Sequence, residues 1–278
     1  MFTLNCRGKL ILIEQPLVMG ILNATPDSFY SGHLPDGTGG MLARAGEMIS
    51  ADVDILDIGG QSTRPGSTRI TAVEELQRVL PVITAIHHQF PETILSIDTY
   101  YSEVAKASVE AGAHIVNDIS GGNMDEKMLS VVAGLTVPYI CMHMKGTPET
   151  MQKNPQYENI LTEMLDLFIR KLQECRLAGI RDIIIDPGFG FGKNTEQNFY
   201  QLKNLVKFSL LGRPILTGLS RKNTIYKTLG ITANEALNGT TVMNTIALLN
   251  GASILRVHDV KEAREVITLV KAYRKSAL

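Results

Sequence analysis

Asp182-Ile183-Ile184-Ile185 runs directly into Asp186-Pro187-Gly188, and the rest of the chain repeats the beat of this short stretch. Three β-branched residues in succession leave no polar face, as in a strand of a parallel sheet covered on both sides. The run is too short for an independent helix, and the acid followed by Pro-Gly ends it in a turn. Seven further runs share the pattern: Leu17 to Leu22, Val53 to Ile58, Thr93 to Ile97, His114 to Val116, Val137 to Met142, Pro214 to Leu219 and Ser253 to Val257. The stretches between them have helical spacing. Met41, Ala45, Met48 and Ile49 fit one apolar face, and so do Val73, Leu76, Val79, Leu80 and Ile83. Ile160, Met164, Leu167 and Leu172 form another, and Val260 through Tyr273 the last. Eight strand–helix units in 278 residues predict an α/β fold of the (β/α)8 TIM barrel type, which typically takes about 250 residues. A doubly wound open sheet usually stops at about six strands. Phe2 to Ile13 alternates weakly around Arg7-Gly8-Lys9 and predicts an N-terminal β-hairpin over the closed bottom of the barrel. With no linker, repeat or low-complexity tract, residues 1–278 are expected to form a single domain.

Composition narrows the functions. Basic and acidic residues number 27 and 28, so the basic excess of a non-specific nucleic-acid binder is lacking and any anionic ligand must be held by a local cluster. Cys6, Cys141 and Cys175 are odd in number and share no CxxC spacing, which argues against a disulfide framework and against zinc. No apolar run approaches the roughly 18 residues needed to span a bilayer, and the first residues lack a basic leader segment. The expected compartment is the cytoplasm.

The C-terminal strand ends of such a barrel carry the active site. Taken in order, these positions give Asn23, Asp57 with Thr63 and Arg64, Asp98, Asn117, His143, Asp186, Ser220-Arg221-Lys222, and Arg256 with His258. A strand-end acid can cap the next helix, and Asp98 or Asp186 alone would imply no more than that. Eight polar ends on one rim exceed what capping requires. They sort by chemistry. Ser220, Arg221, Lys222, Arg256 and His258 follow the seventh and eighth strands, where barrels commonly place a phosphate site. Asn23 adjoins them once the barrel closes, so the group suits a phosphate or diphosphate, with Asn23 able to help hold Mg²⁺. Asp98, Asn117 and Asp186 lie across the mouth and match a flat heterocycle bearing an amino group and ring N–H groups, a pterin or a purine, with Lys222 able to donate to a ring carbonyl.

Asp186-Pro187-Gly188-Phe189-Gly190-Phe191-Gly192-Lys193 alternates glycine with phenylalanine, which would let backbone approach a ligand and a ring stack on it. It lacks the spacing of a nucleotide P-loop, and Gly59-Gly60 fails the dinucleotide fingerprint. His87-His88 reads as solvated, Cys141 with His143 lacks further zinc ligands, and no Ser-His-Asp arrangement stands out.

Several of these segments together resemble the dihydropteroate synthases. Met19-Gly20-Ile21-Leu22-Asn23-Ala24-Thr25-Pro26-Asp27-Ser28-Phe29 is similar to their first signature. Asp57-Ile58-Gly59-Gly60-Gln61-Ser62-Thr63-Arg64-Pro65-Gly66 is similar to the second. Ser96-Ile97-Asp98-Thr99, Val116-Asn117-Asp118-Ile119-Ser120-Gly121-Gly122, Met142-His143-Met144-Lys145-Gly146-Thr147-Pro148, the glycine–phenylalanine run, Gly218-Leu219-Ser220-Arg221-Lys222 and Arg256-Val257-His258-Asp259-Val260 follow in the expected order. The resemblance covers essentially the whole chain. It implies a transferase that joins 4-aminobenzoate to 7,8-dihydropterin-6-ylmethyl diphosphate, releasing diphosphate and forming dihydropteroate for folate synthesis. On that footing Asp98, Asn117, Asp186 and Lys222 hold the pterin. Asn23, Arg256 and His258 hold the diphosphate, with Mg²⁺ near Asn23. Thr63, Arg64, Pro65, Phe191 and Ser220 shape the aminobenzoate pocket, and Asp98, Lys222, Arg256 and His258 carry the chemistry. A homodimer through outer helices such as Ala233 to Asn250 is also implied. Two departures stand out: Gln61 replaces the family's Glu, and Tyr30-Ser31-Gly32-His33 replaces an Asp-Gly-Gly run. The competing readings are a methyltetrahydrofolate-dependent methyltransferase, which needs neither the Ser-Thr-Arg-Pro-Gly loop nor paired Arg256 and His258, and a non-catalytic pterin-binding paralogue.

Overall fold

A computed structural model describes residues 1–24, 38–61, 69–148, 150–151 and 155–276. Thr63, Arg64 and Pro65, and the Tyr30 to His33 departure, lie outside the described residues. The chain opens with an antiparallel hairpin, β1 (Phe2–Cys6) and β2 (Lys9–Ile13), in register from Phe2↔Ile13 to Cys6↔Lys9. Arg7 and Gly8 at its tip have φ of 55° and 90°, the pair of positive values that a two-residue type I′ turn needs.

The eight expected strands follow: β3 (Leu17–Asn23), β4 (Ile55–Gly59), β5 (Ile94–Asp98), β6 (Ile115–Asp118), β7 (Tyr139–Met142), β8 (Ile183–Asp186), β9 (Leu216–Thr217) and β10 (Ile254–Val257). They form one parallel sheet in the order β8-β7-β6-β5-β4-β3-β10-β9, and a bridge between Ile185 and Ile215 brings the two ends together as a barrel. The helices α1 (Thr38–Ser50), α2 (Ala72–Gln89), α3 (Ser102–Glu110), α4 (Met128–Leu135), α5 (Ile160–Ala178) and α6 (Thr195–Lys203) follow β3 to β8 in turn. A 3-10 helix (Leu205–Leu211) precedes β9, then come α7 (Asn223–Leu229) and α8 (Leu237–Leu249), and α9 (Val260–Lys275) follows β10. None of the described helices is long and apolar enough to cross a membrane.

Alternation along each strand splits the core in two. Met19, Ile55, Ile94, Ile115, Ile140, Ile184, Leu216 and Ile254, one per strand, point inward at the lower end and pack with Leu4, Cys6 and Ile13 of the hairpin. The hairpin is therefore a plug, as the sequence predicts. Their neighbours Leu56, Leu95, Val116, Cys141, Ile183, Ile185 and Leu255 point outward and pack under the helices with residues such as Val79, Ile83 and Val266. A period of two places the next inward side chains directly above the apolar floor. There stand Asp57, Ser96, Asn117, Asp186 and Arg256, with Asp98 one step higher on β5. The strand pattern that makes the core thus also delivers the polar cup.

The helix faces match the predicted ones except on α2 and at the end of α9. Val73 is 61% exposed, and the buried stripe runs Ala72, Glu75, Val79, Val82, Ile83 and Ile86. A capping box between Thr71 and Glu74 sets the helix start, and that phase turns Glu75 inward, where it accepts a hydrogen bond from Thr99 Oγ1 at 2.9 Å. Tyr273 is likewise exposed, and the buried face of α9 ends at Val270. His87 and His88 are solvent-exposed, as expected.

Candidate active site

Arg256 organises the cup. From β10 its Nε donates to Asp57 Oδ2 on β4 at 2.6 Å and its Nη2 to Asp98 Oδ2 on β5 at 2.6 Å. Asn117 Nδ2 on β6 donates to the same Asp57 oxygen at 3.1 Å. Four strands thereby meet at one buried cluster, and Asp57 has no exposed surface. Its second oxygen, Oδ1, is buried without a partner, as is Ser96 Oγ beside it in the sheet register. Asp57 is the residue whose role the sequence left open. It holds the guanidinium and the Asn117 amide in place, and the remaining faces of both are left toward the mouth.

Lys222 closes the cup from the opposite side. Its ammonium donates to the Phe189 carbonyl and lies 4.7 Å from the centroid of the Phe191 ring. Burial, with Arg256 nearby, pulls its pKa down to about 8 against the pull of Asp186 and Asp98. Burial pushes Asp186 up, opposed first by Lys222. Asp98 is also pushed up by burial; Arg256 opposes this, while Asp57, Asp118 and Asp186 add to it. Three carboxyls therefore face two cations in a space that solvates charge poorly, an arrangement that favours a ligand bringing positive charge or several N–H donors. Asp98, Asp186, Lys222 and Arg256 share one electrostatic environment, so the convergence predicted from strand order is present.

On the rim, Ser220 Oγ lies 3.0 Å from His258 Nδ1 and accepts the His258 backbone N–H at 3.2 Å, so serine and histidine form one unit. His258 is half-buried, and Asn23 is exposed at the end of β3, paired in register with Gly59, which in turn pairs with Asp98.

The chain was compared with known proteins. A family model described as pterin binding enzyme matches residues 19–258. Dihydropteroate synthase of Escherichia coli strain K12 is 41% identical over 271 residues, covering 97% of this chain and 95% of the relative. The chain belongs to the dihydropteroate synthase family. The fold agrees: a Yersinia pestis dihydropteroate synthase solved with a sulfonamide drug complex superposes with a TM-score of 0.93 at 38% identity, over 99% of this chain and 100% of the other. A Xanthomonas albilineans dihydropteroate synthase solved with 4-aminobenzoic acid gives 0.92 at 37% identity, over 99% of each chain. As a family member the protein is a transferase of folate synthesis.

One cation expected from the strand-end cluster does not belong to the cup. Arg221, at φ 54°, turns outward; its Nε and Nη2 bind Asp259 at 2.9 and 3.0 Å, and its Nη1 reaches the Ala233 and Asn234 carbonyls. It staples the start of α7 to the start of α9, and the anion-facing group reduces to Arg256, His258 and Lys222 with Asn23. The glycine run also works differently from expectation. A Cβ on Gly188 or Gly192 would collide with the backbone carbonyl of His143 or Lys145, so these two glycines serve loop against loop. Only Gly190 faces Lys222, with a Cβ 3.5 Å from its Cδ. Phe189 is core, and Phe191 is the half-buried ring at the mouth. His143 is engaged by Lys193, with Nδ1 and Nζ 3.0 Å apart. Gln61 is 9% exposed with its Oε1 buried and unpartnered, and a neutral amide tolerates such a place better than the family's carboxylate would.

Proposed function

We propose that the cup joins the amine of 4-aminobenzoate to the exocyclic methylene of 7,8-dihydropterin-6-ylmethyl diphosphate. The methylene C–O bond breaks, diphosphate leaves with both bonding electrons, a C–N bond forms, and the amine proton passes to solvent. The observation that carries this reading is the Arg256 bridge. One guanidinium touches Asp98, one of the acids that suit a pterin, and it shares the end of β10 with His258, which suits the diphosphate tail.

In this reading Asp98, Asn117 and Asp186 accept from and donate to the amino-pyrimidine edge, and Lys222 donates to its carbonyl side. Arg256 and His258 stabilise the charge that grows on the leaving diphosphate, and such preorganised stabilisation is usually the largest catalytic term. An electron-rich dihydropterin supports a cation at its methylene, so departure precedes attack in an SN1-like order. The excess of carboxyls around Asp98 stabilises that cation, and a neutral arylamine then attacks without a strong base. Phe191 and Ser220 shape the second pocket.

No three His, Cys, Asp or Glu side chains converge on a metal among the described residues. The exposed amide of Asn23 nevertheless fits Mg²⁺, which keeps several waters and takes its other ligands from substrate phosphates. When bound, Mg²⁺ neutralises charge on the departing diphosphate.

Diphosphate release measured with and without 4-aminobenzoate tests the reaction. Release stimulated by the amine, with one dihydropteroate per diphosphate, is the expected result. Methyl transfer from methyltetrahydrofolate, or pterin binding with no diphosphate released, would overturn it.

A homodimer is part of the same proposal. Val242, Ile246 and Leu249 form an apolar stripe on α8 that is 51%, 37% and 48% exposed, inside the Ala233 to Asn250 segment. Sedimentation should give a dimer for the wild type and a monomer for Ile246→Glu. A monomeric wild type would remove this part.

A further inference from the structure

Lys193 is the most deeply buried cation described, 2% exposed, and no carboxylate among the described residues bonds its Nζ. Its Nζ donates to the Gly188 carbonyl at 2.8 Å and the Phe191 carbonyl at 3.0 Å and lies 3.0 Å from His143 Nδ1, and burial pulls its pKa well down. A buried amine needs hydrogen-bond partners in place of water, and here three neutral groups supply them. Burial, with Lys193 next to it, holds the His143 ring's pKa well below its usual value, so the ring pairs with Lys193 as the neutral imidazole.

The two carbonyls that Lys193 holds flank Phe189, whose own carbonyl receives the Lys222 ammonium. Phe191, with its carbonyl on Lys193, offers its ring to Lys222. One four-residue turn is thus clasped by two lysines, one from beneath and one from within the cup. The turn has no strand pairing of its own. It is closed by its own Phe191 N–H to Gly188 carbonyl bond at 3.1 Å, and its ties to the surrounding chain include Asn198, which accepts the Gly190 N–H at 2.7 Å, and Asp186, which accepts the Gly188 N–H at 2.8 Å. Nothing else described restrains the Phe191 carbonyl. A loosened turn would displace both features that orient Lys222.

We propose that Lys193 is a positioning residue for the pterin seat: with His143 it fixes the Gly188–Phe191 turn, and that turn aims Lys222 at the pterin. The inference rests on the proposed function above and adds a residue that touches no substrate. It also explains why a lysine follows the last glycine of the run: the side chain folds back beneath the turn.

The test uses Lys193→Met, which keeps an unbranched chain and removes the amine. Two probes are titrated by calorimetry, a 6-hydroxymethyl-dihydropterin and inorganic diphosphate. Pterin affinity should fall on the order of tenfold or more, because small misplacements of a binding group are costly, while diphosphate affinity should stay within about twofold. The alkaline limb of kcat/KM should also move to higher pH, as Lys222 becomes less confined among Asp186, Asp98 and Arg256. A folded Lys193→Met protein with wild-type pterin affinity, or with both ligands weakened alike, overturns the proposal. If that variant does not fold, His143→Leu is read by the same criterion, with a pterin loss of about threefold expected. A wild-type protein that does not bind the pterin overturns the seat itself and this inference with it.

Discussion

Arg256→Ala is expected to unfold at markedly lower denaturant concentration than the wild type and to lose on the order of 10²–10³ in kcat. The two losses have one cause. Asp57 has no exposed side-chain surface and Asp98 is 9% exposed, and each bonds the guanidinium at 2.6 Å. Removing one partner of a buried ion pair typically costs about 3–5 kcal/mol, because the remaining charge has neither water nor counter-ion. The catalytic loss follows from the donor removed from the leaving diphosphate. Arg256→Lys separates the two. A lysine restores one positive charge but not the fork that reaches two carboxylates, so it should recover more stability than turnover. Urea titration and steady-state kinetics provide the measurements, with inorganic diphosphate titrated alongside. Unchanged diphosphate affinity and unchanged kcat in Arg256→Ala would remove Arg256 from the mechanism.

Lys222→Ala should raise the KM for the pterin diphosphate on the order of tenfold or more and lower kcat as well, with far less effect on stability. Lys222 is held by a single carbonyl and a ring face, and although its loss takes the nearest opposing charge from Asp186, Asp186 keeps the Gly188 N–H and Asp98 keeps Arg256. Its pKa, lowered to about 8 by burial, adds a second signature. Above that pH the ammonium is lost, so kcat/KM of the wild type should fall on the alkaline side with a limb near 8. Lys222→Arg, which stays charged, should lack that limb. Near wild-type kinetics for Lys222→Ala would refute the assignment.

Most of this cup is legible in the sequence because period two is a strong constraint. Once Ile55, Ile94, Ile115, Ile184 and Ile254 are placed inward, Asp57, Asp98, Asn117, Asp186 and Arg256 have no other side to occupy. Residues beyond the strand ends escape that rule. Arg221 sits next to Lys222 and has the same charge, yet a positive φ sends one to Asp259 and the other into the cup. Lys193 ends a loop where no periodicity applies, and one of its three partners, His143, lies 50 residues away in the chain. Glu75 was hidden for a different reason: Val73 looked like the apolar position, and only the capping box at Thr71 sets the phase of α2 that buries the acid. Neighbouring backbone decides each of these cases, and residue type alone does not show it.

The hairpin at the base gives the vessel a single door. Leu4, Cys6 and Ile13 stopper the lower end, so every reactant enters and every product departs past Asn23, Phe191 and His258. Traffic through one opening is stacked. A bicycle seated against Asp98 and Asp186 must arrive before a second guest can cover it, and the joined product must vacate the same doorway before the next turnover begins.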